Sequence, residues 1–196
     1  MTYSIVNFDN VMYIQILSLI NKRHLLIPIF AMFCITSASN YLVEIPINDW
    51  LTYGTFSYPF TFLVTELVNR FYGPRDARRV VYIGFSFAII LGFSLMNQRI
   101  ALAGSLAFLL GQLLDIAVFN RFRQGAWWLA PWVSSVSASF IDTVIFFSVA
   151  FVGTSIPWIT IAIGDFGVKL VMDICMLLPF RLALWQNKQV YALYPG

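Results

Sequence analysis

Charge is scarce in this chain. Of its 196 residues only 11% are Asp, Glu, Lys or Arg, against about a quarter in a soluble domain. Histidine occurs once, at His24, and cysteine twice, at Cys34 and Cys175. A lone histidine argues against a histidine-built metal centre or a catalytic triad. Both cysteines fall inside apolar runs without metal-like spacing, so they read as small buried hydrophobes. The sequence carries no phosphate-binding loop, dinucleotide glycine fingerprint or paired-histidine zinc motif. The chain therefore does not itself hydrolyse a nucleotide. No catalytic residue, metal or cofactor is expected. The basic residues are too few beside the apolar ones for a nucleic-acid-binding composition.

Apolar residues fill the space that charge leaves. They make up 60% of the chain, and its mean hydropathy is +0.79. The runs are unbroken rather than alternating, which points to transmembrane helices and away from a barrel. A helix needs about 20 apolar residues to cross hydrocarbon. Six segments reach or approach that length, at about 24–43, 52–71, 79–97, 100–121, 130–152 and 157–181. The expected fold is thus all-α: one transmembrane domain over residues 1–196, a bundle of six helices. The second segment contains Gly54 and Pro59, so its outer half is expected to kink or unwind beside a protein-lined cavity. Trp50, Trp127, Trp128, Trp132, Trp158 and Trp185 sit near segment ends, as interfacial aromatics do. Residues 11–20, VMYIQILSLI, are too short to span and are expected along the interface. The charges Lys22 and Arg23 follow this stretch and Asp9 precedes it, the reverse of a signal peptide.

Lysine and arginine set the orientation. With the N-terminus inside, cytoplasmic segments hold Lys22, Arg23, Arg70, Arg75, Arg78, Arg79, Arg121, Arg123, Arg181 and Lys188. Outer loops hold only Arg99, and Lys169 lies within a span. Both termini are accordingly expected in the cytoplasm.

Five acids lie inside the spans: Glu66, Asp115, Asp142, Asp165 and Asp173. Each costs a few kcal/mol at mid-bilayer, so each is expected to face a cavity, meet a cation or carry a proton. Lys169 is the one deeply buried cation. Asp165, Lys169 and Asp173 follow at four-residue spacing on one helix face, either as an intrahelical ladder or with Lys169 reaching a carboxylate on another helix. Ser135, Ser139 and Asp142 form a second stripe, continued by Phe146, that either permits close packing or lines a cavity. Asp115, near Gln112, is within reach of Arg121 or Arg123. Glu66, on a face with Phe62 and Asn69, either pairs with Arg70 or faces a substrate. Thr36, Ser37 and Asn40 make a polar face on the first span. Asn40 holds a ligand amide or caps its own helix. These residues describe a net-acidic pathway enclosed by aromatics and do not name what passes through it.

Five stretches together carry a resemblance: SNYLVEIP (39–46), YGTFSYPFTFLVTELVNRFYGPRDARR (53–79), LGQLLDIAVFNRFRQGAWWLAP (110–131), SASFIDTVIFFSVAF (137–151) and DFGVKLVMDICMLLPF (165–180). Nearly the whole chain resembles the bacterial queuosine precursor transporters, a branch of the vitamin-uptake-like transporters. The resemblance implies import of 7-cyano-7-deazaguanine or its 7-aminomethyl relative for queuosine salvage into tRNA. It also implies a fold similar to the substrate-binding subunits of energy-coupling-factor transporters. The other reading of the same resemblance is a passive binding subunit of an ATP-driven uptake complex. A deazaguanine presents an N1–H and an amino group that one carboxylate accepts together. Glu66 is the first candidate for that carboxylate and Asp142 the second. Phe56, Tyr58 and Phe62 are candidate stacking groups, and Asn40 and Gln112 candidates for the carbonyl or nitrile side. Lys169 with Asp165 or Asp173 is the expected structural or gating pair, with Asp115 a further member. Expected partners are the small-molecule substrate and membrane lipid, with a homo-oligomer left open. Five buried acids to one lysine make proton-coupled uptake one open route, and facilitated diffusion with metabolic trapping the other.

Overall fold

The computed structural model describes residues 23–42, 45–48, 51–95 and 97–186. The short apolar stretch at 11–20 and Lys22, Glu44, Trp50 and Lys188 lie outside them. A 3-10 turn, Arg23–Leu25, leads into α1, Leu26–Leu42. A small antiparallel ribbon follows, β1 Pro46–Asn48 and β2 Leu51–Thr52, pairing Pro46 with Thr52 and Asn48 with Leu51. Then come α2 Gly54–Ser57, α3 Pro59–Tyr72, α4 Pro74–Leu95, α5 Gln98–Phe122, α6 Leu129–Phe151 and α7 Trp158–Gln186. The ribbon departs from an all-α fold, and it moves the helical start of the second segment from 52 to Gly54.

Local chemistry explains the punctuation. Pro59 has no N–H, so the helical ladder is interrupted after Tyr58 even though Tyr58 keeps helical angles (φ −60, ψ −41). Tyr58 N still donates to the Gly54 carbonyl (3.0 Å), and Thr61 N donates three residues back to Tyr58 (2.9 Å). Gly73 stands at φ 90, beyond what a side chain readily tolerates, and Pro74 opens α4 directly after it. The chain therefore reverses within one residue, and α4 starts at Pro74 rather than 79. Asn97 caps α5 by accepting from Arg99 N at 2.9 Å.

Four helical stretches are long and apolar enough to cross a membrane: Arg23–Leu42, Pro74–Ser94, Gln98–Phe122 and Leu129–Phe151. The other two segments fall short for different reasons. α3 has only 14 residues after its break. α7 has 29 residues but carries Asp165, Lys169 and Asp173 within them.

Polarity runs inside out. Glu66, Asn69, Gln112, Asp115 and Ser139 are at most 1% exposed, whereas Ile27 is 79% and Ile163 69% exposed. That is the arrangement a hydrocarbon solvent favours. Cys34 and Cys175 belong to the outward faces and are exposed, contrary to the expectation of burial. Each lies two residues from a buried position, Met32 and Asp173, and two residues turn a helix by more than half a circle.

α5 is central. Phe108 and Ile116 pack with Met32, Val68, Val80 and Val81, while Phe119 packs with Leu63, Met176 and Phe180. Its closest neighbour is α6, and Gly111 makes that approach possible. A Cβ at Gly111 would stand 3.3 Å from the Asp142 Cβ and 3.5 Å from the Ala138 carbonyl. Close helix contact in membranes depends on such small residues. Gly111→Leu should wedge α5 from α6 and destabilise the protein by about 1–3 kcal/mol. Denaturant titration in mixed micelles checks this, and an unchanged midpoint would exclude the seam as a tight contact.

Candidate functional site

One end of the bundle encloses a cavity of about 700 Å³, bounded by the ribbon, the first half of α5 and the second half of α6. Every helix except α3 contributes to its wall. The volume falls within the range of small-molecule sites. One side is aromatic: Phe108, Phe146, Phe147 and Phe151 line it. The ring centroids of Phe146 and Phe147 are 5.2 Å apart, and those of Phe147 and Phe151 5.8 Å apart.

The polar side centres on Lys169. Its Nζ lies 2.8 Å from Asp142 Oδ2 on α6 and 2.6 Å from Asp165 Oδ2, one turn back on α7. It also donates to Thr143 Oγ1 at 3.1 Å. Thr143 in turn donates to Asp165 Oδ2 (3.1 Å), and Thr55 to Asp165 Oδ1 (3.2 Å). The Tyr58 hydroxyl donates to Asp142 Oδ1 at 3.1 Å, and the Tyr58 ring centroid is 5.7 Å from Nζ. Asp142, Asp165, Lys169, Thr55 and Tyr58 all line the cavity. Two acids share one base here, and their oxygens border open space. Such a site can accept hydrogen bonds from a ligand that brings paired N–H donors. Asn40 also lines the cavity, with its Nδ2 buried and unpartnered among the described residues.

The residues singled out in the sequence separate into two groups. Asn40, Tyr58, Asp142, Asp165 and Lys169 meet at the cavity; Glu66, Gln112, Phe62 and Phe56 do not line it. Glu66 is buried between α3 and α6, accepting from Ser135 Oγ at 2.5 Å and Ser134 Oγ at 3.3 Å. It forms no ion pair with Arg70, whose Nη1 donates to the Arg123 carbonyl (2.8 Å). Gln112 joins α5 to α3, donating to Thr61 Oγ1 (2.8 Å) and accepting from Thr65 Oγ1 (2.5 Å). Phe62 is buried edge-on to Tyr58, with centroids 6.0 Å apart, and Phe56 is 39% exposed.

The ion pairs are also redistributed. Lys169 takes Asp165 on its own helix and Asp142 on the next. Asp173 accepts from Ser139 (3.0 Å) instead and has no ion pair among the described residues. Asp115, expected near Arg121 or Arg123, is fully buried, and neither of its oxygens has a hydrogen-bond donor among the described residues. Arg123 Nη2 reaches the Arg70 carbonyl instead (2.7 Å). Sequence reasoning missed Phe108, Phe147 and Phe151 and the role of Thr55. Phe146, one turn beyond Asp142, was the one available signal for the aromatic wall.

Comparison with known proteins adds an independent line. The family described as "Putative vitamin uptake transporter" matches residues 52–97 and 93–184. The chain belongs to this family. A queuosine precursor transporter of Escherichia coli is 37% identical, over 77% of this chain and 81% of that protein. A probable queuosine precursor transporter of Haemophilus influenzae is 34% identical, over 74% and 79%. One from Bacillus subtilis is 28% identical, over 67% and 70%. No solved structure matches. The family match begins at Thr52, the end of the ribbon's second strand, and takes in both helices joined at Tyr58 and the Asp142 and Lys169 positions.

Among the described residues Lys169 is the shared ion-pair partner of Asp142 and Asp165, so removing it should leave both uncompensated. Lys169→Met is expected to lower stability by about 3–5 kcal/mol. The double variant Lys169→Met, Asp142→Asn should recover part of that loss. A denaturant titration of all three proteins checks it: additive losses would mean that the two residues are not coupled.

Proposed function

We propose that this chain imports a queuosine precursor, 7-cyano-7-deazaguanine or 7-aminomethyl-7-deazaguanine, for salvage into tRNA. The observation that carries the reading is the shared Asp142–Lys169–Asp165 centre and four phenylalanines lining one cavity that is roomy enough for a base. The relatives' names point to the same substrate class. In this reading all six segments cross the bacterial inner membrane as one domain, with both termini cytoplasmic. The bias of Lys and Arg supports that orientation. The ribbon end of the cavity then opens outward, and the arginine-rich end, with Arg70, Arg75, Arg78 and Arg79, faces the cytoplasm. The likeness to substrate-binding subunits of energy-coupling-factor transporters belongs to the same proposal.

Recognition follows from donor and acceptor counts. The base offers N1–H and its amino group on one edge, and the Asp142 carboxylate accepts both. Asn40 Nδ2 has no protein acceptor and supplies the donor for the base carbonyl. Tyr58 and the phenylalanine wall sandwich the ring plane, as enzymes do with an extruded base. Glu66 and Phe62 of α3 and Gln112 of α5 back the site, while Phe56 lies beside it.

The test is uptake of radiolabelled 7-cyano-7-deazaguanine into liposomes containing only this protein. Asp142→Asn removes a charged acceptor worth about 1.5–3 kcal/mol, which should lower apparent affinity roughly 10- to 100-fold. A loss confined to Glu66→Gln would transfer base reading to α3. Tight binding without flux would instead identify a subunit of an ATP-driven complex.

A further inference from the structure

A second acidic centre lies outside the cavity wall. Glu66 on α3, Asp115 on α5 and Asp173 on α7 are each at most 2% exposed. Their hydrogen-bond donors are all neutral: Ser134 and Ser135 for Glu66, and Ser139 for Asp173. Both Asp115 oxygens are buried and have no donor at hydrogen-bonding distance among the described residues, the neutral Ser134 hydroxyl being close enough only to act on it electrostatically. Glu66 and Asp173 lie within electrostatic reach of Asp115 and of each other. The nearby Lys169 ammonium is already engaged by Asp142 and Asp165, so three ionised carboxylates here would repel one another in a low-dielectric setting. A bound cation must relieve them.

We propose that this cluster holds the proton that drives uptake, with Asp115 as its carrier. This rests on the transport reading above and extends it to the energy source. A proton fits better than a metal ion, because no three acidic, histidine or cysteine groups among the described residues are disposed to ligate one. The surrounding charges are few. From α7 come Lys169, one turn before Asp173, and Asp165. From α6 comes Asp142, bonded to Tyr58 and Lys169. Arg70 of α3 and Arg123, just past the end of α5, hold each other's carbonyls. α4 meets α5 with Ala77, Val80 and Val81, all apolar.

Lys169 links the two centres. It stands between Asp165 and Asp173 at four-residue spacing in either direction, and it now engages Asp165 and Asp142. A base that takes Asp142 withdraws one of these partners. Asp173 is then the alternative on the same helix face, and an ammonium arriving there favours ionised carboxylates in the cluster, so Asp115 releases its proton. Each neutral 7-cyano base enters with one proton taken up outside and released to the cytoplasm, so one positive charge moves inward. An inside-negative potential drives uptake as well as a pH gradient does.

The experiment uses proteoliposomes of the full chain and labelled 7-cyano-7-deazaguanine. Two modes are read: exchange at equal pH, and concentration driven by an acid exterior. The wild type should show both and should alkalinise a weakly buffered exterior on substrate addition. Asp115→Asn should keep exchange while losing gradient-driven concentration and alkalinisation, and Asp173→Asn serves if that variant does not fold. Exchange by the wild type without a response to the proton gradient overturns the inference, as does drive by a sodium gradient. So does an Asp115→Asn protein that still concentrates the base. Absence of wild-type exchange sinks the transport reading itself, and the inference falls with it.

Discussion

One ammonium group shared between two carboxylates governs this structure. Lys169 reaches Asp165 along its own helix and Asp142 across to α6. The intrahelical bond alone would form in an isolated helix. The interhelical one requires α6 and α7 to be docked in a single register. Charged groups in hydrocarbon are tolerated when paired, so α7, with Asp165, Lys169 and Asp173 all buried, depends on α6 for its place. The same centre draws in α2 and the α2–α3 junction, because Thr55 bonds Asp165 and Tyr58 bonds Asp142. The Pro59 interruption thus leaves Tyr58 free to turn toward the centre while α3 continues beyond it.

Small and hydroxylated residues make the rest of the interior work. On α6, Ser134 and Ser135 serve Glu66, Ser139 serves Asp173, and Thr143 serves Asp165. One helix face therefore supplies donors to acids on two other helices. Gly111 lets α5 come close enough for Asp142 to be packed at the seam. Without a hydrophobic driving force between helices in lipid, such contacts and short donor–acceptor pairs must supply the cohesion. They also divide the interior into an open, aromatic-walled half and a closed acidic half, with Lys169 between.

Much of this was legible beforehand. The six helical segments, the position of the Tyr58–Pro59 interruption and the stripe of Ser135, Ser139 and Asp142 all follow from periodicity and composition. The link between Lys169 and another helix was one of two open readings, and the structure contains both bonds at once. Glu66 illustrates the limit. Its face with Phe62 and Asn69 was correctly grouped, yet that face meets α5 and α6, outside the cavity. Cys34 and Cys175 illustrate another, since an apolar run does not tell which side faces the bundle.

By itself the sequence determined the solvent, the number of helical segments, and which residues share each helix face. Those depend on hydropathy and on the 3.6-residue period, both local properties of the chain. Only the tertiary structure decided which faces meet: that Asp142 and Asp165 converge on Lys169, that four phenylalanines wall the cavity, and that Asp115 is left without a donor. In a membrane both the lipid-facing surface and much of the packed interior are apolar, so hydrophobicity cannot distinguish outward from inward. Contacts between helices then rest on shape and on a few polar groups, and those are set by the three-dimensional arrangement.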